Sequence, residues 1–221
     1  MAKPAIPERR FPAATIRAQI EAILRAWGMP EDALRTTAEV MVETDLAAID
    51  SHGVAMLAMY DRMQQAGRLR LDAQPRVVRE SASTALIDGG AGLGHPTAVA
   101  GMRLAVDKAL AHDVGVVSVY NSHHFGAAGY YAAMASDAGL IGVVSTSTRT
   151  VPVVPTNGTE RVLGTNPLAF AIPAGRNPPV ILDMSTSVAA ANKVKAYAIR
   201  GRDVPAGWVV EPRARPSPTA A

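Results

Sequence analysis

Three features of the chain predict a mixed α/β fold. Apolar residues recur at helical spacing from Pro12 to Gln65, and past Pro75 short β-branched runs alternate with Ala-rich or Gly/Pro-punctuated stretches. The 221 residues, 48% hydrophobic and 19% charged, can also bury a sizeable core. The chain is accordingly divided into an N-terminal helical region (1–75), an α/β or α+β domain (76–212) and a divergent tail (213–221).

Taken in order, Ile16, Ile20, Ile23, Leu24 and Trp27 mark a first helix, which Gly28-Met-Pro30 ends. A second runs from about Glu31 to Ile49. A third is expected from Asp50 or Ser51, either able to cap it, to Ala66 before Gly67. Strands are expected at Thr84–Ile87, Val114–Tyr120, Gly139–Ser145, Leu168–Ile172 and Val180–Asp183, with helices over Pro96–His112 and Ala127–Ala138.

Composition removes several function classes. Without cysteine there is no disulfide framework, thiolate metal site or cysteine nucleophile, which fits a reducing cytoplasm. The opening MAKPAIPERRFPAA lacks the apolar centre of a secretory signal, and no stretch holds eighteen apolar residues without a breaker. The protein is read as cytoplasmic, with no membrane partner. A net charge of +3, with dispersed basic residues and only 5% aromatics, is a poor footprint for nucleic acid.

The stretch DGGAGLGHPTAV (88–99) follows a strand and opens a helix, yet its glycines alternate and the third glycine of G-x-G-x-x-G is missing. A tight turn is the plainer reading, and an ordinary Rossmann domain is not supported. In DSHGVAMLAMY (50–60), His52, Met56 and Tyr60 fall at i, i+4 and i+8, on one face near a helix start where Ser51 and His52 could receive a carboxylate. A capping serine beside a partly buried histidine reads equally well. The pair His123-His124 lies between a strand and a helix, where ligands gather in open α/β sheets; on residues alone, the plainer reading has one as a helix cap while the other packs. Metal binding by His52, His95, His123 and His124 is disfavoured because no H-x-x-x-H helix pair or carboxylate cluster accompanies them. No G-x-S-x-G elbow supports a serine hydrolase.

In combination, DSHGV, GLGH, NSHHFGAAGYYA, GLIGVVSTST, LGTNPLAFAIP and ILDMSTSVAAANKV resemble the malate/L-lactate dehydrogenase family of the non-Rossmann kind, which includes sulfolactate, ureidoglycolate and imine-reducing members. The similarity runs from about residue 15 to Pro212. The resemblance implies a non-Rossmann nicotinamide-binding α/β domain, NAD or NADP as cofactor, a small 2-hydroxy or 2-oxo acid as substrate, and a homodimer. It places the acid/base on His124, immediately before Phe125-Gly126, and leaves His123 at a variable position. Ser51, His52 and Tyr60 are implied to line the substrate site, and Thr148, Asp183, Met184, Ser185 and Lys193 the cofactor; no metal is implied. Gly164-Thr165-Asn166-Pro167 is expected to form a rigid turn.

Two departures stand out. Met56 occupies the position of the family's usual arginine, and a thioether cannot make the bidentate contact a carboxylate prefers; Arg149 is a candidate substitute. After Pro212 the pattern gives way to RARPSPTAA, so the cofactor domain is expected to be incomplete and the apolar faces of residues 16–65 to lack cover. The competing expectations are an inactive remnant of such an enzyme and, more remotely, a metal-dependent hydrolase or lyase.

Overall fold

The computed structural model describes residues 9–210; the tail at 213–221 lies outside the described residues. Helix α1 (Ala13–Ala26) follows Pro12, whose fixed φ suits a helix entry, and buries Ile20 and Leu24 before Gly28 turns the chain at φ +82°. Helix α2 (Glu31–Leu46) starts after Pro30 with Glu31 and Asp32 in its first turn, where the helix dipole favours negative charge. It ends three residues short of Ile49, the chain reversing at Ala48 with φ +61°.

The third helix starts later than its sequence suggests. Residues 50–53 form turns, a 3₁₀ turn spans Val54–Met56, and only then does α3 (Leu57–Gln65) begin. Neither Asp50 nor Ser51 caps it. The entry is instead fixed by Asp45 of α2, whose Oδ2 accepts the Val54 amide at 2.9 Å. A Cβ on Gly53 would overlap the same carboxylate, so only glycine permits this approach.

Strands β1 (Arg76–Glu80), β2 (Thr84–Gly92) and β3 (Val116–Ser122) form one sheet in that order, β1 antiparallel and β3 parallel to β2. Helix α4 (Gly94–His112) connects the parallel pair. Strand β1 has no counterpart in the sequence reading, and its side chains are all exposed. Helix α5 (Ala128–Asp137) follows β3, and a second sheet has the order β4 (Gly142–Ser145), β5 (Leu168–Ala174), β6 (Asn177–Met184). A last helix, α6 (Ala191–Ile199), buries no residue.

Two units are distinguished. Among the described residues one comprises Arg9–Val144 with Leu168–Asp183, and the other Ser145–Pro167 with the chain from Met184 onward. The first holds the core: Ile20, Leu24, Leu34, Met41, Met56 and Tyr60 cluster with Leu69, Leu71 and Leu93. The expected loss of cover over residues 16–65 is therefore not what is observed, because α1, α2 and α3 bury their apolar faces against one another. Large apolar side chains are exposed elsewhere, on β3 (Val116, Val119, Tyr120) and β6 (Val180, Ile181, Leu182). Helix α5 lies close to β5 because the touching residues are small: Ala128 and Ala132 meet Ala169 and Ala171.

Candidate active site

Three histidines and a tyrosine from three separate stretches of chain converge in the first unit. His124 follows β3 in a segment pinned by backbone bonds: the His123 amide donates to Gly92 carbonyl oxygen at 3.0 Å, and the Gly94 amide to His124 carbonyl oxygen at 2.9 Å. A Cβ at Gly94 would strike the carbonyl oxygens of His123 and His124, so a glycine is required where α4 begins beside this loop. Asp183 of β6 accepts the Gly129 amide at 2.7 Å, occupying the N-terminal turn of α5 in place of a local cap. The N-cap position of α5 is Ala127, which lies beyond the His123-His124 pair and makes no side-chain cap bond.

The His124 ring lies under His52 with centroids 5.4 Å apart and planes inclined by 25°, and His95 approaches it edge-on at 6.5 Å. Nδ1 of His124 is 2.7 Å from the Tyr60 hydroxyl and 3.3 Å from the Gly126 amide. His52 Nδ1 in turn meets Ser51 Oγ at 2.8 Å. The predicted helical face is thus not what joins His52 to Tyr60; a turn carries His52 and α3 carries Tyr60, and His124 sits against both.

Electrostatics favour uncharged rings. Burial, reinforced by the neighbouring His52 and His95, holds the His124 pKa down to about 3. Burial alone does the same to His95, also to about 3. His52 is lowered too, by burial, with Asp183 acting in the opposite sense. The wholly buried Tyr60 phenol is pushed up and stays protonated. Three clustered imidazoles with one carboxylate, Asp183, in reach could not all carry charge, and neutrality is the stable solution.

His95 figured in the sequence only as a disfavoured metal ligand, and the structure brings it into the cluster. It is fully buried in the first turn of α4, edge-on to Tyr60 at 5.8 Å, and neither ring nitrogen has a hydrogen-bond partner among the described residues. Leaving such a group unpaired costs about 1–3 kcal/mol. Its only signal was its place in GLGH.

Met56 is 4% exposed and belongs to the apolar cluster of α1–α3, where a guanidinium would have to be buried. Of the other expected residues, Asp183 lies within electrostatic reach of His52. Thr148, Met184, Ser185 and Lys193 belong to the second unit, in separate local settings. The Thr148 amide donates to Asn166 Oδ1 at 3.1 Å, and a Cβ on Gly164 would fall on the Thr148 hydroxyl and Asn166 carboxamide. No turn is formed at the expected 164–167; the segment runs irregularly from the bridge at Leu163 to β5, with Asn166 at φ +35°. Ser185 Oγ donates to Ser187 carbonyl oxygen at 2.8 Å; the Lys193 ammonium lies 5.2 Å from the centre of the Trp208 ring; Met184 is half exposed. Arg149 is exposed in this unit. Among the described residues no group of three or more His, Cys, Asp or Glu is arranged to hold a metal ion, and no helix is long and apolar enough to cross a membrane.

A mixed sheet with an antiparallel first strand and a buried His–Tyr pair at a strand–helix junction define a class of α/β protein distinct from doubly wound dinucleotide-binding folds. The family model for malate/L-lactate dehydrogenase matches residues 11–221, and the chain belongs to that family. It is 41% identical over 201 residues to a malate dehydrogenase of Pyrococcus horikoshii, covering 91% of this chain and 55% of that protein. An L-sulfolactate dehydrogenase of Methanothermobacter thermautotrophicus is 38% identical over 198 residues, covering 90% of this chain and 58% of its own length. The crystal structure of malate dehydrogenase from Entamoeba histolytica superposes with a TM-score of 0.85 at 33% identity, covering 89% of this chain and 55% of that one. The chain therefore spans rather more than half the length of these relatives.

Proposed function

We propose that the protein transfers hydride between a nicotinamide cofactor, NAD or NADP, and a small 2-hydroxy or 2-oxo acid, with His124 as the proton-transfer residue. The observation that carries this reading is the buried, neutral His124, hydrogen-bonded to Tyr60 and stacked on His52 at the β3–α5 junction. Interconverting a hydroxyl and a carbonyl moves one proton and one hydride; a neutral imidazole can take that proton in oxidation and, as imidazolium, return it in reduction. The cofactor supplies the hydride chemistry.

The chain's own residues divide the remaining tasks. Ser51 and His52 offer a hydroxyl and an imidazole to the acid's carboxylate, and apolar packing around Tyr60 and Met56 excludes water. For the cofactor, the Lys193 ammonium with the hydroxyls of Ser185 and Thr148 is a donor set of the right chemistry for a pyrophosphate, and the close approach at Gly164 keeps Thr148 beside Asn166. Asp183 and Met184 stand at the end of β6, where the chain passes from the acid/base unit to this segment. Substrates resembling malate or sulfolactate are favoured by the relatives, whereas the buried Met56 offers no cation for a second anionic group.

The test is to purify the chain and follow nicotinamide absorbance with NADH and NADPH against a panel of 2-oxo acids. His124→Ala should lower the rate by about 10²- to 10⁴-fold with cofactor affinity nearly unchanged, and His123→Ala should do far less. A larger loss at position 123 would overturn the assignment.

A further inference from the structure

We propose that Tyr60 is a positioning residue: its hydroxyl, together with the Gly126 amide, selects the Nε2–H tautomer of His124, so that the free protein presents a hydrogen-bond donor suited to the carbonyl oxygen of a 2-oxo acid. This rests on the reading of His124 as the proton-transfer residue, and it gives Tyr60 a task other than touching substrate.

Two independent contacts set the tautomer. The Gly126 amide, 3.3 Å from His124 Nδ1, can only donate, so Nδ1 facing it has to offer its lone pair. The Tyr60 hydroxyl, 2.7 Å from the same nitrogen, is wholly buried, and Nδ1 is its one hydrogen-bond acceptor among the described residues. Were Nδ1 protonated, the phenol proton would lose that acceptor and two N–H groups would oppose each other. Both contacts therefore put the imidazole proton on Nε2, which has no hydrogen-bond partner among the described residues. The arrangement needs glycine at 126: φ is +79°, and a Cβ there would lie 3.3 Å from His95 Nε2 and 3.4 Å from Val40.

The consequence is directional. In reduction, the carbonyl oxygen accepts a hydrogen bond from Nε2–H; as hydride adds to the carbonyl carbon it takes that proton, a second proton from solvent having entered at Nδ1, and the ring is left as the neutral Nδ1–H tautomer. In oxidation, the substrate hydroxyl gives its proton to an Nε2 lone pair, and this requires Nδ1–H. Tyr60 can follow, because a hydroxyl that rotates becomes an acceptor for Nδ1–H. Gly126 cannot. The oxidising form thus starts from the less favoured tautomer, in which Tyr60 accepts from Nδ1–H at the cost of leaving its own buried O–H without that acceptor.

With five histidines in the chain, long-range ¹H–¹⁵N correlation spectra of the full protein at pH 7.5 can read each ring, the His124 signals being assigned by their loss in His124→Gln. The expected result is an Nε2–H ring at His124, outnumbering Nδ1–H by about tenfold or more, with the ratio falling about fivefold in Tyr60→Phe, as one hydrogen bond of ordinary net strength is lost. An Nδ1–H ring in the wild type would overturn the inference, and this needs no variant to fold. A ratio unchanged in Tyr60→Phe would also overturn it. In turnover, Tyr60→Phe should change kcat and leave the KM for the acid nearly alone; a rise in KM with kcat intact would make Tyr60 a substrate ligand instead. An Nε2–H ring in a chain without dehydrogenase activity would support the tautomer selection and count against the catalytic reading of His124.

Discussion

The histidine–tyrosine cluster and the segment expected to hold the cofactor are built in opposite ways. Around His124, side chains from residues 51–60, 95 and 124 are held by burial, ring stacking and backbone bonds of glycines that admit no Cβ. In the second unit Gly164 is the one buried residue among those described, and order comes from short polar bonds such as those of Ser185, Ser187 and Asn166. A group that must be held neutral needs a low-dielectric setting, whereas groups that must meet a charged, hydrated ligand need their donors near the surface. The difference teaches that the proposed proton-transfer group is pre-organised by packing, and the donors proposed for a pyrophosphate by local loop geometry.

The largest expected effect separates the two regions by kinetics. Lys193→Ala should raise the KM for the nicotinamide with little change in kcat, the reverse of the pattern expected at His124; equal effects on kcat would break the contrast. Next comes packing. Met56→Arg should destabilise the chain by about 3 kcal/mol or more through burying an unpaired charge, while Met56→Leu should cost less than about 1.5 kcal/mol in urea unfolding. If the arginine variant were as stable as the leucine one, Met56 would have to face an open pocket.

The pH dependence of stability sharpens the same contrast. His95 and His124 titrate near pH 3 in the folded chain and near 6.5 when unfolded, so between those limits the unfolded state binds more protons. Stability should be full above about pH 6.5 and decline as pH falls through that window, by up to about 1.4 kcal/mol per pH unit for each histidine. Denaturation midpoints followed from pH 7 to 4 would measure it, and a flat profile would mean that these rings are hydrated. Smallest of all is Arg25→Ala, which removes an exposed, solvent-screened ion pair with Glu31 and should leave the denaturation midpoint in the same assay essentially unchanged.

Much of this was legible in the chain. Helical periodicity finds α1 and α2 because Ile20, Leu24, Leu34 and Met41 point to a shared core, and β-branched runs find β2 through β6. Strand β1 is not legible, since RVVRE exposes every side chain and leaves no alternation to read. Nor is α6, whose buried side is empty. The start of α3 is misplaced because its entry depends on Asp45, nine residues before Val54, and local capping rules do not see such a partner.

The sequence by itself determined the family, the mixed fold and the stretches from which functional side chains come, because those depend on residue types in fixed local order. Only the tertiary structure decided that His95 joins His52 and His124, that Met56 faces the core, and that Tyr60 bonds to an imidazole sixty-four residues away. A hydrogen bond, a ring stack or a depressed pKa belongs to a pair of groups in a shared dielectric, and that pairing exists only once the chain has closed the distance between them.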